Sequence, residues 1–117
     1  MKEADPIEVS LFETDTGAVP IEDWLDSIDR KSRSRILARI AKIRAGNLGD
    51  WSALTNSKGV CEFREFFGPG YRIYFARESQ KVILLLCGSD KSGQKKLIKL
   101  ATQYWLEYQM RHSEPMS

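Results

Sequence analysis

GVCEFREFFGPGYRIYFARESQKVILLLC, residues 59 to 87, is the stretch whose reading decides the fold. From Gly59 to Phe66 the chain alternates Val60, Glu62, Arg64 and Phe66 against Cys61, Phe63 and Glu65, the period of two that marks a strand. Gly68-Pro69-Gly70 is a turn signal. Tyr71 to Arg77 alternates again, Tyr71, Ile73 and Phe75 against Arg72, Tyr74 and Ala76, and Glu78, Ser79 and Gln80 make a short reversal. Val82 to Cys87 is apolar throughout, which fits a central strand covered on both faces. Connections this short join antiparallel neighbours, so the stretch reads as a three-stranded meander.

Upstream, Pro6 to Glu13 alternates loosely and reads as a first strand, followed by a turn over Thr14 to Ala18. Pro20 suits the first position of a helix, with Glu22 and Asp23 in its first turn and Ile21, Trp24, Leu25 and Ile28 on one apolar face. Asp29 is a candidate cap for a second helix that runs to about Ala45, where Gly46 and Asn47 stop it. Ile36, Leu37, Ile40 and Ile43 give it an apolar side. The very short joint between the two helices predicts a helical hairpin. Gly46 to Lys58 reads as a loop plugged by Leu48, Trp51 and Leu54. Downstream, Ser92 is a candidate cap for a last helix, in which Leu97, Ala101, Tyr104 and Tyr108 recur at helical spacing, widened by Ile98 and Trp105.

The expectation is a single α+β domain over residues 1–117, ordered from about 6 to 111 with a flexible tail from 112 to 117. Its order is β-α-α-β-β-β-α, with a four-stranded, mainly antiparallel sheet. The hairpin covers one face, and the C-terminal helix packs on an edge or on the other face. A chain of 117 residues has room for one core and needs neither disulfides nor a metal to close it. Cys61 and Cys87 sit inside apolar runs without ligand spacing, which reads as buried reduced thiols. No run approaches a membrane span, and MKEADPIEVS lacks the apolar core of a signal peptide, so the expected location is cytoplasmic.

The net charge of +2 says little, but its distribution says more. Arg30, Lys31, Arg33, Arg35, Arg39, Lys42 and Arg44 run without an intervening acid, as do Lys91, Lys95, Lys96 and Lys99. Acids collect at the N-terminus and in Glu22, Asp23, Asp26 and Asp29. Such polarity suits a polyanion or an acidic protein partner, although a basic helix face is also simply a solvated one.

Candidate chemistry follows from strand parity. If Tyr71, Ile73 and Phe75 point to the helical hairpin, Arg72 and Tyr74 point away from it, and Glu62 and Arg64 join them from the preceding strand. Guanidinium groups offer planar, permanently charged forks for phosphate. The segment Gly88 to Lys95 brings Lys91 and Lys95 toward the same end of the sheet and opens a helix, where anions bind readily. Ordinary cross-strand pairing of Glu62 with Arg64 or Arg72 is the plain alternative. No nucleophilic triad, phosphate-binding loop or metal motif is present, and the lone histidine, His112, lies in the tail.

Residues 59 to 101 resemble the "addiction module killer protein" branch of the RelE/ParE toxin superfamily, also described as HigB-like or phage Gp49-like. The resemblance rests on Gly59, Glu62, Arg64, Gly68, Gly70, Tyr71, Arg72, Tyr74, Gly88, Asp90, Lys91, Ser92 and Gln94, in this order and spacing, with Phe12 and Trp24-Leu25 at compatible places upstream. It spans roughly residues 6 to 108. The resemblance implies a toxin of a type II toxin–antitoxin pair. Such a toxin would cleave mRNA, usually on the ribosome, with no metal or other cofactor, and its partner would be a helix-turn-helix antitoxin. Carried over, Arg72 matches the arginine that stabilises the scissile phosphate, Arg64 the arginine of the preceding strand, and Lys91 the basic position after the central strand. Glu62 or a lysine is then a candidate base, and Tyr74 a candidate to stack on a base or relay a proton. Lys95, Lys96, Arg35 and Arg39 are candidate RNA contacts. The branch usually has an acidic residue soon after Gln94, where this chain has Lys95, Lys96 and Leu97. The same superfamily holds toxins that poison DNA gyrase by protein contact. A catalytically inactive binder of antitoxin or nucleic acid is a third class.

Overall fold

A computed structural model describes residues 5–113. In chain order the elements are β1 (Glu8–Leu11), α1 (Pro20–Ser27), α2 (Arg30–Arg44), β2 (Trp51–Ala53), β3 (Val60–Glu65), β4 (Tyr71–Ser79), β5 (Val82–Asp90) and α3 (Gln94–Arg111). They form an α+β fold of three helices and one five-stranded mixed sheet in the order β1-β5-β4-β3-β2.

The meander appears as its periodicity predicts, with β3, β4 and β5 antiparallel in sequence. The helical hairpin appears too, and the Asp29 carboxylate caps α2 by accepting from the Ser32 amide at 3.0 Å. The sheet departs from the four-stranded expectation in two ways. β1 pairs in parallel with β5, because the α1–α2 hairpin carries the chain to the far edge and the meander returns it to β1. A fifth strand, β2, pairs antiparallel with β3 inside the segment expected to be loop. Three residues, Trp-Ser-Ala, are too few for an alternating pattern, and the strand exists because β3 offers it an unpaired edge. Trp51 is accordingly no plug but an edge residue, 39% exposed.

Two apolar layers sandwich the sheet. Ile21 and Leu25 of α1 and Ile36, Ile40 and Ile43 of α2 pack on Phe63, Ile73, Phe75, Ile83 and Leu85. On the opposite face Ala101 and Trp105 of α3 pack on Phe12, Val60, Tyr74, Ala76, Leu84 and Leu86. The continuous apolar run of β5 follows directly, because that strand is covered by helices on both sides. The cap of α3 differs from expectation. Gly93 takes the capping position, and the Asp90 carboxylate holds the preceding turn, accepting from the Gly93 amide at 2.9 Å and the Ser92 hydroxyl at 2.7 Å. Both cysteines are free and buried. Burial pushes the Cys87 thiol up to about 12. The expected tail begins at His112, whose amide closes α3 on the Tyr108 carbonyl at 3.0 Å, and residues 114–117 of it lie outside the described residues.

Candidate functional site

Parity and register together place the candidate residues. Glu62 and Arg64 of β3 and Arg72 and Tyr74 of β4 project from the face that α3 packs on, since their neighbours Phe63, Ile73 and Phe75 fill the hairpin side. The register pairs Arg64 with Arg72 and Glu62 with Tyr74, then Arg72 with Ser89 and Tyr74 with Cys87 across β4. Two adjacent rows result, Arg64-Arg72-Ser89 toward the β3–β4 turn and Glu62-Tyr74-Cys87 one step inward.

The rows are covered differently. Tyr74 belongs to the α3 core and is 0% exposed, with its hydroxyl 2.8 Å from Ser89 Oγ. Burial pushes the phenol up to about 12. The expectation of an open sheet face that presents Tyr74 to a base is therefore corrected: α3 closes the inner row and leaves only its margin accessible.

Arg72 lies at that margin, 9% exposed, and Glu62 beside it is 5% exposed. Arg72 Nη1 donates to the Tyr71 carbonyl at 3.3 Å, while its Nε stands 3.6 Å from Glu62 Oε2, an ionic contact too long to be a hydrogen bond. Burial raises the Glu62 carboxyl above its ordinary value, and the Arg72 and Arg64 charges oppose the rise. Arg64 is more open and pairs with Asp50 at 3.0 Å. Among the described residues, Glu62 Oε2, Arg64 Nε and Arg72 Nε are buried without a hydrogen-bond partner. Such atoms normally find one, so this cluster has unused capacity for a polar ligand.

The β3–β4 turn supplies an opening. Gly68 and Gly70 both take positive φ, 56° and 79°, which side chains resist, and between them Pro69 turns the chain tightly. Beside the turn lies a cavity of about 260 Å³, lined by Phe66, Gly68, Pro69, Gly70, Arg72 and Lys91. Lys91 is exposed at its rim, and Lys95 and Lys96 are exposed on the first turn of α3. An almost dehydrated guanidinium at the wall and an ammonium at the mouth make a receptor for a phosphate oxygen.

Two of the expected RNA contacts lie elsewhere. Arg35 stands 4.1 Å over the Phe67 ring, on the side of the sheet that the hairpin covers. Arg39 is engaged inside the protein: Nη1 donates to Glu65 Oε1 at 2.6 Å and the Arg64 carbonyl at 3.1 Å, and Nη2 to the carbonyls of Leu48 at 2.9 Å and Asp50 at 2.8 Å. It pins α2 to the segment around β2. His112 stacks on Tyr108 at the far end of α3, a helix of 18 residues and so roughly 25 Å from Lys91. Sequence reading missed Asp50, for which the loop-like segment carried no signal, and it left Phe66 without a role although parity placed it beside Arg64.

A larger cavity, about 580 Å³, lies between α1 and α3 over the end of β5, with Trp24, Leu97, Leu100 and Tyr104 among its walls. None of the candidate catalytic or RNA-contacting residues lines it, although Trp24, Tyr71, Gly88 and Asp90, on which the family resemblance partly rests, do. Among the described residues no group of three or more His, Cys, Asp or Glu is placed to hold a metal ion, and no helix is long and apolar enough to cross a membrane.

Comparison with known proteins adds the kinship. The family model described as "Phage derived protein Gp49-like (DUF891)" matches residues 23–105, from α1 into α3. A protein of Haemophilus influenzae, named "Uncharacterized protein", is 37% identical over 81 residues, which cover 68% of this chain and 80% of the relative.

Proposed function

Because the chain belongs to the Gp49-like family of phage-derived proteins, a family associated with toxin and addiction-module proteins, we propose that it is the toxin of a type II toxin–antitoxin pair, of the HigB-like branch of the RelE/ParE superfamily, and that it cuts mRNA. The observation that carries the reading is the Arg64–Arg72 cross-strand pair, with Arg72 in the wall of a cavity that Lys91 rims. A helix-turn-helix antitoxin is its partner in this reading, and the mRNA is met on the ribosome.

The reaction asks three things of the site. The 2′-hydroxyl gives up its proton and its oxygen bonds to phosphorus; the bond from phosphorus to the 5′-oxygen breaks; the departing oxygen takes a proton. Glu62 is the carboxylate beside Arg72, and burial makes it more basic than an ordinary glutamate, so it is assigned the first proton. Arg72, with Arg64 beside it on the neighbouring strand, faces the charge that develops on the phosphate, where aligned donors contribute several kcal/mol. Lys91 at the cavity mouth supplies the second proton. The products are a 2′,3′-cyclic phosphate and a 5′-hydroxyl, and no cofactor enters the balance.

A second reading, a toxin that acts on DNA gyrase through protein contact, is favoured by one observation. Glu62 and Tyr74 are both out of solvent, so the cavity presents little acid–base chemistry at its surface. Induced expression followed by primer extension on cellular mRNA, alongside a supercoiling assay, separates the two. The ribonuclease reading expects new 5′ ends in wild type and none with Arg72→Ala, with growth restored and the fold retained. Full toxicity in a folded Arg72→Ala variant sinks it.

A further inference from the structure

Phe66 is the anomaly on this face. It is 72% exposed, against 0% for Phe63 three residues earlier, whose parity turns it to the opposite face. Its neighbour Phe67 turns to the other side, packs on Tyr71 with ring centroids 5.3 Å apart and lies under Arg35. The pair therefore splits, one ring anchoring the β3–β4 turn to the hairpin core and the other left standing in water. A single apolar ring in solvent is ordinary by itself; what sets this one apart is the company it keeps.

What surrounds the ring identifies what it would bind. Phe66 lines the same 260 Å³ cavity as Arg72 and Lys91, and the Arg64 guanidinium sits 6.0 Å from its centroid. The remaining lining, Gly68, Pro69 and Gly70, is small or flat, so one side of the ring's surroundings is left open to a planar group. The cavity is smaller than the sites that enclose drug-sized ligands. An aromatic face interleaved with cations, at the scale of a single residue of a strand, is the arrangement by which proteins hold unpaired nucleotides. We propose that Phe66 is the floor of a nucleobase subsite: a base of single-stranded RNA stacks on its ring while the adjoining phosphate enters the Arg72–Lys91 cavity. This rests on the ribonuclease reading and deepens it, transferring to Phe66 the stacking role that buried Tyr74 cannot serve. The subsite grips through a π face that every base has, so it selects for unpaired bases over duplex rather than for one base over another.

The test uses the full chain and two fluorescent probes. One is a short single-stranded RNA of mixed sequence carrying 2′-deoxy residues so that it cannot be cut; the other has the same backbone with its bases removed. Wild type should bind the base-bearing probe the more tightly. Phe66→Ala should lose on the order of 10- to 100-fold for that probe, match wild type on the abasic one, and keep the wild-type melting temperature, since the ring is outside the core. Phe66→Trp should restore the loss. Equal affinity of wild type and Phe66→Ala for the base-bearing probe, the result expected if Phe66 instead meets a protein, overturns the subsite alone. A wild-type chain that binds neither probe overturns the ribonuclease reading and this subsite with it.

Discussion

At the scale of single residues, burial decides what each candidate can do. Arg72 and Glu62 face each other at 3.6 Å with both side chains largely buried, and charges so placed have little freedom to swing. Burial holds the Glu62 carboxyl above its ordinary value of 4.5, so the folded chain keeps this proton to a higher pH than the unfolded chain does. The stability this group gives is therefore fullest below the ordinary value and declines as pH rises through the window above it. Glu62→Gln should remove that decline: the difference in melting temperature between variant and wild type should grow in the variant's favour from about pH 4 to about pH 7, while mRNA cleavage is lost. A difference independent of pH would show that the carboxyl does not titrate as its burial requires. Asp29 and Asp90 behave oppositely. Each is held below the usual carboxylate range, Asp29 by its hydrogen bonds with Ser32 and Asp90 by those with Ser92 and Gly93. Their contribution is present above the ordinary value and lost as pH falls, in wild type and variant alike, so it cancels in the comparison.

At the scale of elements, two contacts hold the frame around the site. Arg39 ties α2 to the Glu65 carboxylate, to the Arg64 carbonyl of β3 and to the Leu48 and Asp50 carbonyls just before β2, with four hydrogen bonds. Arg39→Ala should cost about 3 kcal/mol, the scale of breaking a covered ion pair by removing one partner, read as a lower urea midpoint with an unchanged slope. Retained stability would show that the carbonyls find other donors. At the other edge, Trp24 of α1 lies against Gly88 of β5 so closely that a β-carbon there would enter the indole ring. Gly88→Ala should destabilise by roughly 1–3 kcal/mol through overpacking and should disturb the α1–α3 cavity before the Arg72 cavity. A melting temperature equal to wild type would mean that α1 shifts freely over the sheet, against its packing.

At the scale of the whole molecule, the sheet divides the cations into two populations, Lys91 at the cavity with Lys95 and Lys96 on the first turn of α3, and Arg35 with Arg39 on the hairpin side. Lys95→Ala combined with Lys96→Ala should flatten the salt dependence of single-stranded RNA binding by up to about 1.4 in log–log slope, at about 0.7 per phosphate contact, with no change in melting temperature. Arg35→Ala should leave the slope unaltered; a change there would mean that RNA wraps the sheet edge. The residues alone determined the strand–turn–strand of residues 59 to 79, the helical hairpin, the apolar central strand and the side of the sheet that Arg64, Arg72, Glu62 and Tyr74 share, because alternation and turn chemistry are local properties. They did not determine β2, whose three residues pair only because β3 has a free edge, nor the parallel seat of β1 beside β5. Nor did they determine which of the shared-face residues meet solvent. That was decided when α3 settled over Tyr74 and stopped short of Arg72 and Phe66, since exposure depends on where a distant element comes to rest, and no window of neighbouring residues records it.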